Sequence, residues 1–314
     1  MKIGMVFFIM TSILALVGTL FGGAYSYSKN LDVLEQEVYE HLETAAQSRG
    51  SHINFLLEEQ KEKLRILATH QDLSNEELRE VNKINREFYE VFVMDAEGII
   101  IASSDETKIG LDRVNDDYFI GGRKGPYIKD AYFSEDTKKN AIAVSVPFNE
   151  GVLVARIQLS ILEEILLDKT GLGETGEIYL LNEEGYAITP LGKKEDTFLK
   201  FKVDSINSRD CFEDIEKYYN SETGEVEKHE ENVQVYLDYL GEKVLGTHYH
   251  VAEKRWCLLA EINEDEILGI QKRAFQGTVL EIVIVLTLLI GFISYLVGRQ
   301  LDKIFVYRKT KRKL

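Results

Sequence analysis

The chain has few cysteines and a shortage of positive charge. Only two of its 314 residues are cysteine, too few for a disulfide scaffold or a cysteine-rich zinc site, so a single bridge is the most that can form. Lysine and arginine number 37 against 53 aspartate and glutamate, which gives a net charge of −16. A surface of this sign repels a phosphate backbone and argues against nucleic acid as a partner. The apolar share of 45% excludes a wholly disordered chain.

Catalytic motifs are also missing. The sequence has no nucleophile elbow, phosphate-binding glycine loop or zinc-binding His-Glu signature. Gly171–Gly176 fits Gly-x-Gly-x-x-Gly by letter, but it precedes a predicted strand instead of following one, so we interpret its glycines as loop residues. His248 and His250 alternate on a predicted strand, and two ligands are too few for a metal site. The acidic segment Asp210–Glu231 lacks calcium-loop spacing and is interpreted as a solvated loop. We therefore expect no enzymatic activity, no cofactor and no metal.

Two apolar stretches lie near the ends of the chain. No charged residue occurs between Lys2 and Lys29, and Val279–Val297 is apolar except for Glu281. About 20 residues, at a rise of about 1.5 Å each, cross a bilayer core of about 30 Å. We predict transmembrane helices within 1–27 and 264–298. The alternative for the first is a cleaved signal peptide, although its apolar region would run only about 7–15 residues.

The charge of the last sixteen residues predicts the orientation. Residues 299–314 hold seven lysines and arginines against one aspartate. The positive-inside rule places this tail in the cytoplasm, and two spans return the N-terminus to the same side. The chain would then be a protein of the cell membrane, with residues 28–275 on the extracytoplasmic side. Because that space is commonly oxidising, Cys211 and Cys257 could form a disulfide, and two free buried thiols are the equal alternative.

The middle of the chain changes from helical to strand periodicity. An apolar stripe at steps of three and four over Leu31–Leu67 predicts a long stalk helix, followed by a short one, within residues 28–86. Strand patterns follow in two sets, each with a matching turn, Asp95–Gly98 and Asn182–Gly185. The first set is Phe88–Met94, Ile99–Ser103, Ala141–Phe148 and Val152–Leu159, and the second, after a helix at Ser160–Asp168, is Ile178–Leu181, Tyr186–Thr189, Val233–Tyr239, Lys243–Val251 and Trp256–Ile262. The pattern predicts an α+β chain with two copies of one small sheet domain.

Several stretches in both halves match a known family, in the expected order. They are Asp117–Phe119, Gly125–Ser134, Ala143–Pro147, Thr170–Leu180, Gly246–His248 and Trp256–Ile262. On these stretches the chain resembles the double Cache (dCache) extracytoplasmic sensor domains of bacterial and archaeal receptors and sensor histidine kinases. The resemblance implies two tandem PAS-like antiparallel-sheet domains. The membrane-distal one, residues 87–168, would hold a small-molecule pocket, and the proximal one, residues 169–263, would pass the signal to the second span.

Ligands in this family are amino acids, amines and carboxylates, and the resemblance implies where one would bind. In members that bind amino acids, an arginine lies two residues before an aromatic pair, and an acid on the last distal strand holds the ligand amine. Here these positions hold Asp116, before Tyr118, and Arg156, so the signs are exchanged. Either Asp116 and Arg156 neutralise each other and leave aromatic walls for a neutral ligand, or together they hold a zwitterion in reversed orientation.

Three further residues are candidates for the same pocket. Tyr127 and Tyr132 offer an apolar ring with a polar tip, as is usual in small-ligand clefts, and a core aromatic cluster is the alternative. Asp130, between them, could accept a hydrogen bond from a ligand amine or cap a loop. The predicted ligand-binding residues are therefore Asp116, Tyr118, Tyr127, Asp130, Tyr132 and Arg156.

The predicted output is indirect. Sixteen residues follow the second predicted span, too few for the kinase, methyl-accepting or cyclase module of most dCache receptors. We expect a membrane sensor that signals through this span to a separate kinase or chemotaxis partner, as a homodimer joined through the Leu31–Leu67 stripe. The alternatives are a non-signalling surface protein that binds a ligand, and the remnant of a receptor that lost its output module.

Overall fold

The computed structural model describes the backbone of residues 2–168, 170–192, 194–220 and 235–311. Many side chains near the two ends, those of residues 1–17 and 298–314 among them, lie outside the described part. The side chains of the predicted basic tail and residues 221–231 of the acidic segment therefore lie outside it too. The chain divides into two compact units, one made of residues 35–264 and the other of the two ends.

Two long helices form the ends of the chain. Helix α1 spans Lys2–Leu67, and helix α6 spans Glu264–Lys311. Within the unit that contains the ends, the ring centroids of Tyr27 and Phe275 lie 4.6 Å apart. Among the residues that the structure describes, no helix combines the length and the apolar character needed to cross a bilayer.

The first sheet has five antiparallel strands in the order β2-β1-β5-β4-β3. Their bounds are β1 Phe88–Met94, β2 Ile100–Ser103, β3 Tyr127–Ser134, β4 Lys139–Phe148 and β5 Gly151–Gln158. Four of them correspond to predicted strands. The fifth, β3, escapes prediction because a bulge between Lys129 and Tyr132 breaks the alternation of its side chains.

The second sheet has four described strands in the order β6-β9-β8-β7. Their bounds are β6 Glu177–Leu181, β7 Val235–Leu237, β8 Lys243–Val251 and β9 Trp256–Asn263. The strand predicted at Tyr186–Thr189 is wrong, because Tyr186 and Ala187 form only isolated bridges. Pro190 follows directly and has no N–H with which to extend a ladder.

The remaining helices are shorter. They are α2 Asn75–Ile84, α3 Asp117–Gly122, α4 Ser160–Leu166 and α5 Ile206–Asn220. Helix α2 begins at the capping box that Ser74 forms with Glu77. Helix α5 contains the first half of the acidic segment that was predicted to be a loop. That prediction is wrong for residues 210–220, where Cys211 and Ile215, one helical turn apart, are buried.

The two halves repeat one another in their first turns. Gly98 after β1 and Gly185 after β6 have φ angles of 86° and 84°, which favour glycine. The side chains of Asp95 and Asn182 each accept a hydrogen bond, at 2.8 Å, from the backbone N–H four residues later. In the second half, Cys211 of α5 and Cys257 of β9 are joined by a disulfide.

From residue 35 onward, α1 belongs to the unit of residues 35–264 and buries one face within it. Leu42, Ile53, Leu57 and Leu64 are at most 1% exposed. The helix continues through Gly50, where a Cβ would overlap the ring of Tyr249 on β8, so that glycine permits the close approach of helix and strand. Since the centre of the stripe is already buried within one chain, the prediction that it forms a dimer surface is wrong for this part of the helix.

Candidate functional site

A cavity of about 380 Å³ lies beside β3 and β5 of the first sheet. We call it the first-sheet cavity. It is lined by Arg113, Asp116, Lys129, Tyr132, Phe133, Ser134, Glu135, Asp136 and Arg156. The wall thus combines two aromatic rings with charges of both signs, which suits a small polar ligand.

The bulge in β3 decides which side chains reach the cavity. It places Lys129 opposite Ala143 and Tyr132 opposite Ala141, so that the two residues between them on β3 stand opposite a single residue on β4. Lys129 and Tyr132 therefore share one side of the sheet and line the cavity, with the ammonium 4.2 Å from the ring centroid. The side chain of Asp130, between them in the sequence, is not part of the cavity lining.

Asp130 connects the two sheets. Its Oδ1 accepts a hydrogen bond of 2.8 Å from Nε1 of Trp256, the first residue of β9. Nearby, Nζ of Lys254 donates to the backbone oxygen of Ile128 at 3.1 Å. Burial raises the pKa of Asp130, and the charge of Lys254 opposes this. Asp130 therefore serves the contact between the sheets and does not line the cavity.

Arg156 is the buried cation of the cavity. Its Nη1 lies 2.9 Å from Glu90 on β1 and 2.9 Å from Asp136, and the side chains of Arg156 and Glu90 are each only 3% exposed. Burial acts to raise the pKa of Asp136, but hydrogen bonds from Ser134 and Arg156 outweigh it and hold this pKa well below its usual range. Burial raises the pKa of Glu90, and the guanidinium opposes the change.

Asp116 has other partners than Arg156. It accepts hydrogen bonds from Nζ of Lys129 at 2.7 Å and from the hydroxyl of Tyr118 at 2.8 Å. The prediction that Asp116 and Arg156 neutralise each other is therefore wrong. Asp116 pairs with Lys129, and Arg156 pairs with Glu90, so each charge is balanced by a different residue. The reason is the bulge in β3, which brings Lys129 beside Asp116.

Three donors at the cavity are buried without hydrogen-bond partners among the residues that the structure describes. They are Nε of Arg113, Nε of Arg156 and the hydroxyl of Tyr132. Burial raises the pKa of the Tyr132 hydroxyl above its usual range, so it stays protonated and has a proton to donate to a ligand. Unpaired buried donors cost free energy and call for an acceptor.

The predicted site residues thus divide into two groups. Asp116, Tyr132 and Arg156 line the cavity, and Tyr118 contacts it through Asp116. Tyr127 lies elsewhere, with its ring against Gly121, as does Asp130. Glu90, Arg113, Lys129 and Asp136 are cavity or network residues that the sequence analysis missed. Glu90 had a signal, since it is the one charged residue within an otherwise apolar strand pattern.

The predicted histidine pair occupies the second half. Nδ1 of His248 lies 2.9 Å from Oδ1 of Asn207, and its Nε2 lies 3.3 Å from Asp214. His250 packs against the ring of Tyr218 with centroids 4.5 Å apart. Neither histidine faces solvent freely, because α5 covers this side of β8.

His250 predicts a pH dependence of stability. Burial, with Arg255 adding to it, lowers the pKa of His250 to about 4, against about 6.5 in an unfolded chain. Between about pH 7.5 and about pH 5 the unfolded chain therefore binds a proton that the folded chain does not, and stability falls. After allowance for partial exposure, we expect the parent to lose about 1 kcal/mol more than His250→Gln in urea unfolding at the two pH values. Equal losses would contradict the assignment.

The fold and the sequence of the chain are those of a known family. Two antiparallel-sheet modules in tandem, preceded by one long helix, define the architecture. The sequence matches the family model for Cache domains of the dCache type over residues 31–269, and the chain belongs to this family. None of the curated proteins matches the sequence.

Similar solved structures share the fold at low identity. The extracellular domain of soHK1S-Z6, assigned as a histidine kinase, is 18% identical and covers 76% of this chain and 99% of its own, with a TM-score of 0.57. The ligand-binding domain of the Campylobacter jejuni chemoreceptor Tlp3, in complex with 4-methylisoleucine, is 14% identical, with coverages of 74% and 94% and a TM-score of 0.55. That of the Pseudomonas fluorescens chemoreceptor CtaA, with L-isoleucine, is 11% identical, with coverages of 76% and 98% and a TM-score of 0.53.

Proposed function

We propose that the chain is a membrane-anchored extracytoplasmic sensor, which binds a small metabolite in the first-sheet cavity and carries the signal through α6 to a kinase or chemotaxis partner. The three unpaired donors of the cavity are the observation that carries this proposal. Membership of the Cache family supports it, as do the chemoreceptor domains of this fold that hold isoleucine or its 4-methyl derivative. In this proposal the chain acts by binding and not by catalysis.

The cavity favours a ligand with a carboxylate. A carboxylate is purely an acceptor, with four lone-pair sites, and can satisfy the Nε atoms of Arg113 and Arg156 together with the hydroxyl of Tyr132. Asp116 and Asp136 on the same wall would repel a second acid and would attract an amino group. Amino acids and monocarboxylates are therefore the first compounds to test.

Removal of the unpaired hydroxyl tests the ligand site. In Tyr132→Phe, the ring remains and no hydrogen bond seen within the described part of the chain is lost, because the hydroxyl has no partner there. We expect a metabolite found by a thermal-shift screen to bind the variant about 5–10-fold more weakly in calorimetric titration, since one hydrogen bond contributes about 1–1.5 kcal/mol.

Tyr127→Phe is the matched control for this experiment. Tyr127 lies on the same strand, β3, but its ring packs against Gly121 outside the cavity lining. We expect Tyr127→Phe to bind as tightly as the parent. A screen of amino acids and monocarboxylates without a hit, or a Tyr132→Phe variant that binds as the parent does, would refute the proposed site.

Labelling of intact cells tests the orientation. Both native cysteines are held in the disulfide, so a cysteine introduced at Lys138, whose side chain is 70% exposed, provides the only thiol. We expect Lys138→Cys to react with a membrane-impermeant maleimide on intact cells. Lys309→Cys should react only after permeabilisation, and the reverse pattern would rule out an extracytoplasmic sensor.

A further inference from the structure

We propose that the second sheet holds a calcium site formed by the carboxylates of Glu177, Asp238 and Glu261. One oxygen from each of the three residues lies within 4.8 Å of the others. A calcium ion, at about 2.3–2.6 Å from its ligands, can join oxygens up to about 5 Å apart. Magnesium, at about 2.0–2.1 Å, spans only about 4.2 Å. A set of carboxylate oxygens alone suits hard cations of this kind.

Glu261 is the buried centre of this carboxylate cluster. It is 1% exposed, and its Oε1 accepts a hydrogen bond of 2.9 Å from the hydroxyl of Tyr236. Among the described residues, its Oε2 has no hydrogen bond of regular geometry, and the fully buried hydroxyl of Tyr179 lies near enough to interact with the same carboxylate. Oδ1 of Asp238 accepts two backbone N–H groups of its own turn, both at 2.8 Å. The carboxylates are thus held in place by the protein while one buried oxygen remains available.

The two sheets carry different residue pairs at equivalent positions of the internal repeat. Glu90 and Glu177 each stand eight residues before the glycine of their turn, on β1 and β6. Glu90 faces Arg156 across its ladder, whereas Glu177 faces Glu261. Like charges directly opposite each other destabilise a sheet. In the second half, an acid therefore occupies the place of the guanidinium, and a bound cation would restore the balance found in the first half.

Two glycines shape the space around the cluster. Gly246 lies opposite Glu261 on β8, and a Cβ there would overlap the hydroxyl of Tyr236. Only glycine lets this hydroxyl reach over the strand to the carboxylate. The N–H of Gly192 donates to Oε2 of Glu177 at 3.1 Å, and a Cβ would press on the same oxygen. The close approaches indicate a built site and not a chance meeting of surface acids.

Calcium-dependent melting of the whole 314-residue chain tests the proposal. The chain is purified in detergent and treated with EDTA, and unfolding is followed by the fluorescence of Trp256, its one tryptophan. We expect CaCl₂ to raise the melting temperature by several degrees and MgCl₂ at the same concentration to raise it less, because the ion binds only the folded state. Glu261→Gln, which keeps the shape and removes the charge, should abolish the rise. Asp238→Asn should need about 10-fold more calcium for the same rise.

Glu213→Gln is the matched control. Glu213 is an acid on α5 whose side chain is 75% exposed, and its loss should leave the calcium response unchanged. The melting curve of Glu261→Gln without calcium shows whether the variant folds, and Asp238→Asn decides the test if it does not. A parent without a calcium response, or a Glu261→Gln variant that responds as the parent does, overturns the proposal. So does a chain that is stabilised by acidification and not by calcium, since the cluster then holds a proton. None of these outcomes depends on the first-sheet cavity.

Discussion

Replacement of Arg156 by methionine is expected to lower the free energy of unfolding by about 3–5 kcal/mol. The change leaves the carboxylate of Glu90, 3% exposed, without its counter-charge, and breaking a buried pair from one side carries a cost of this size. Asp136 loses the same partner. The measurement is urea unfolding of the parent and of Arg156→Met, followed by the fluorescence of Trp256, which is fully buried in the fold.

An exposed ion pair provides the control for this prediction. Lys83 and Glu80 on α2 are paired with side chains 69% and 57% exposed, so Lys83→Met should change stability by less than about 0.5 kcal/mol. A double variant, Glu90→Gln with Arg156→Met, should recover part of the loss, since no charge is then stranded on β1. A loss below about 1 kcal/mol in Arg156→Met alone would show that Glu90 is protonated in the folded chain.

Removal of the disulfide is expected to cost about 4 kcal/mol. The bridge joins Cys211 to Cys257 and closes a loop with a sequence separation of 46. Constraint of the unfolded chain by a loop of this length is worth about 4 kcal/mol in the chain-entropy model. Cys211→Ala with Cys257→Ala is the suitable variant, because both positions are fully buried and serine would introduce unpaired hydroxyls.

Reduction of the disulfide in the parent chain is a second way to measure what the bridge contributes to the free energy of unfolding. With dithiothreitol present, the parent should unfold at nearly the same urea concentration as the double alanine variant, and the variant itself should not respond. If both unfold within about 1 kcal/mol of the oxidised parent, the bridge does not contribute to stability in the way proposed.

The sequence predicted the elements whose side-chain patterns are regular. The strands β1, β4, β5 and β9 are mostly apolar, β8 alternates in burial over part of its length, and the turns closed by Gly98 and Gly185 carry a clear signal. Helix α5 was missed because its acidic composition suggested solvent. Its two buried apolar positions, Cys211 and Ile215, were too few to outweigh that signal, and the disulfide that holds the helix on β9 is visible only in the folded chain.

The ion-pair partners in the first-sheet cavity could not be predicted from local sequence patterns. Arg156 and Asp116 were singled out by family resemblance, but their partners depend on tertiary structure. Lys129 reaches Asp116 only because of the bulge in β3, and Glu90 reaches Arg156 only through the register of β1 on β5. Neither register nor bulge is encoded in the spacing of charges along the chain, so the partners could not be assigned from the sequence.

The contact between Trp256 and Asp130 has a mechanical consequence. Strand β9 is anchored at its first residue to β3, beside the first-sheet cavity, and its last residue, Asn263, is followed at once by Glu264, where α6 begins. At about 3.3 Å per residue, a strand of eight residues makes a stiff link about 26 Å long. A displacement of β3 along its axis therefore loads the hydrogen bond at Asp130, and the ladders that hold β9 between β6 and β8 resist it.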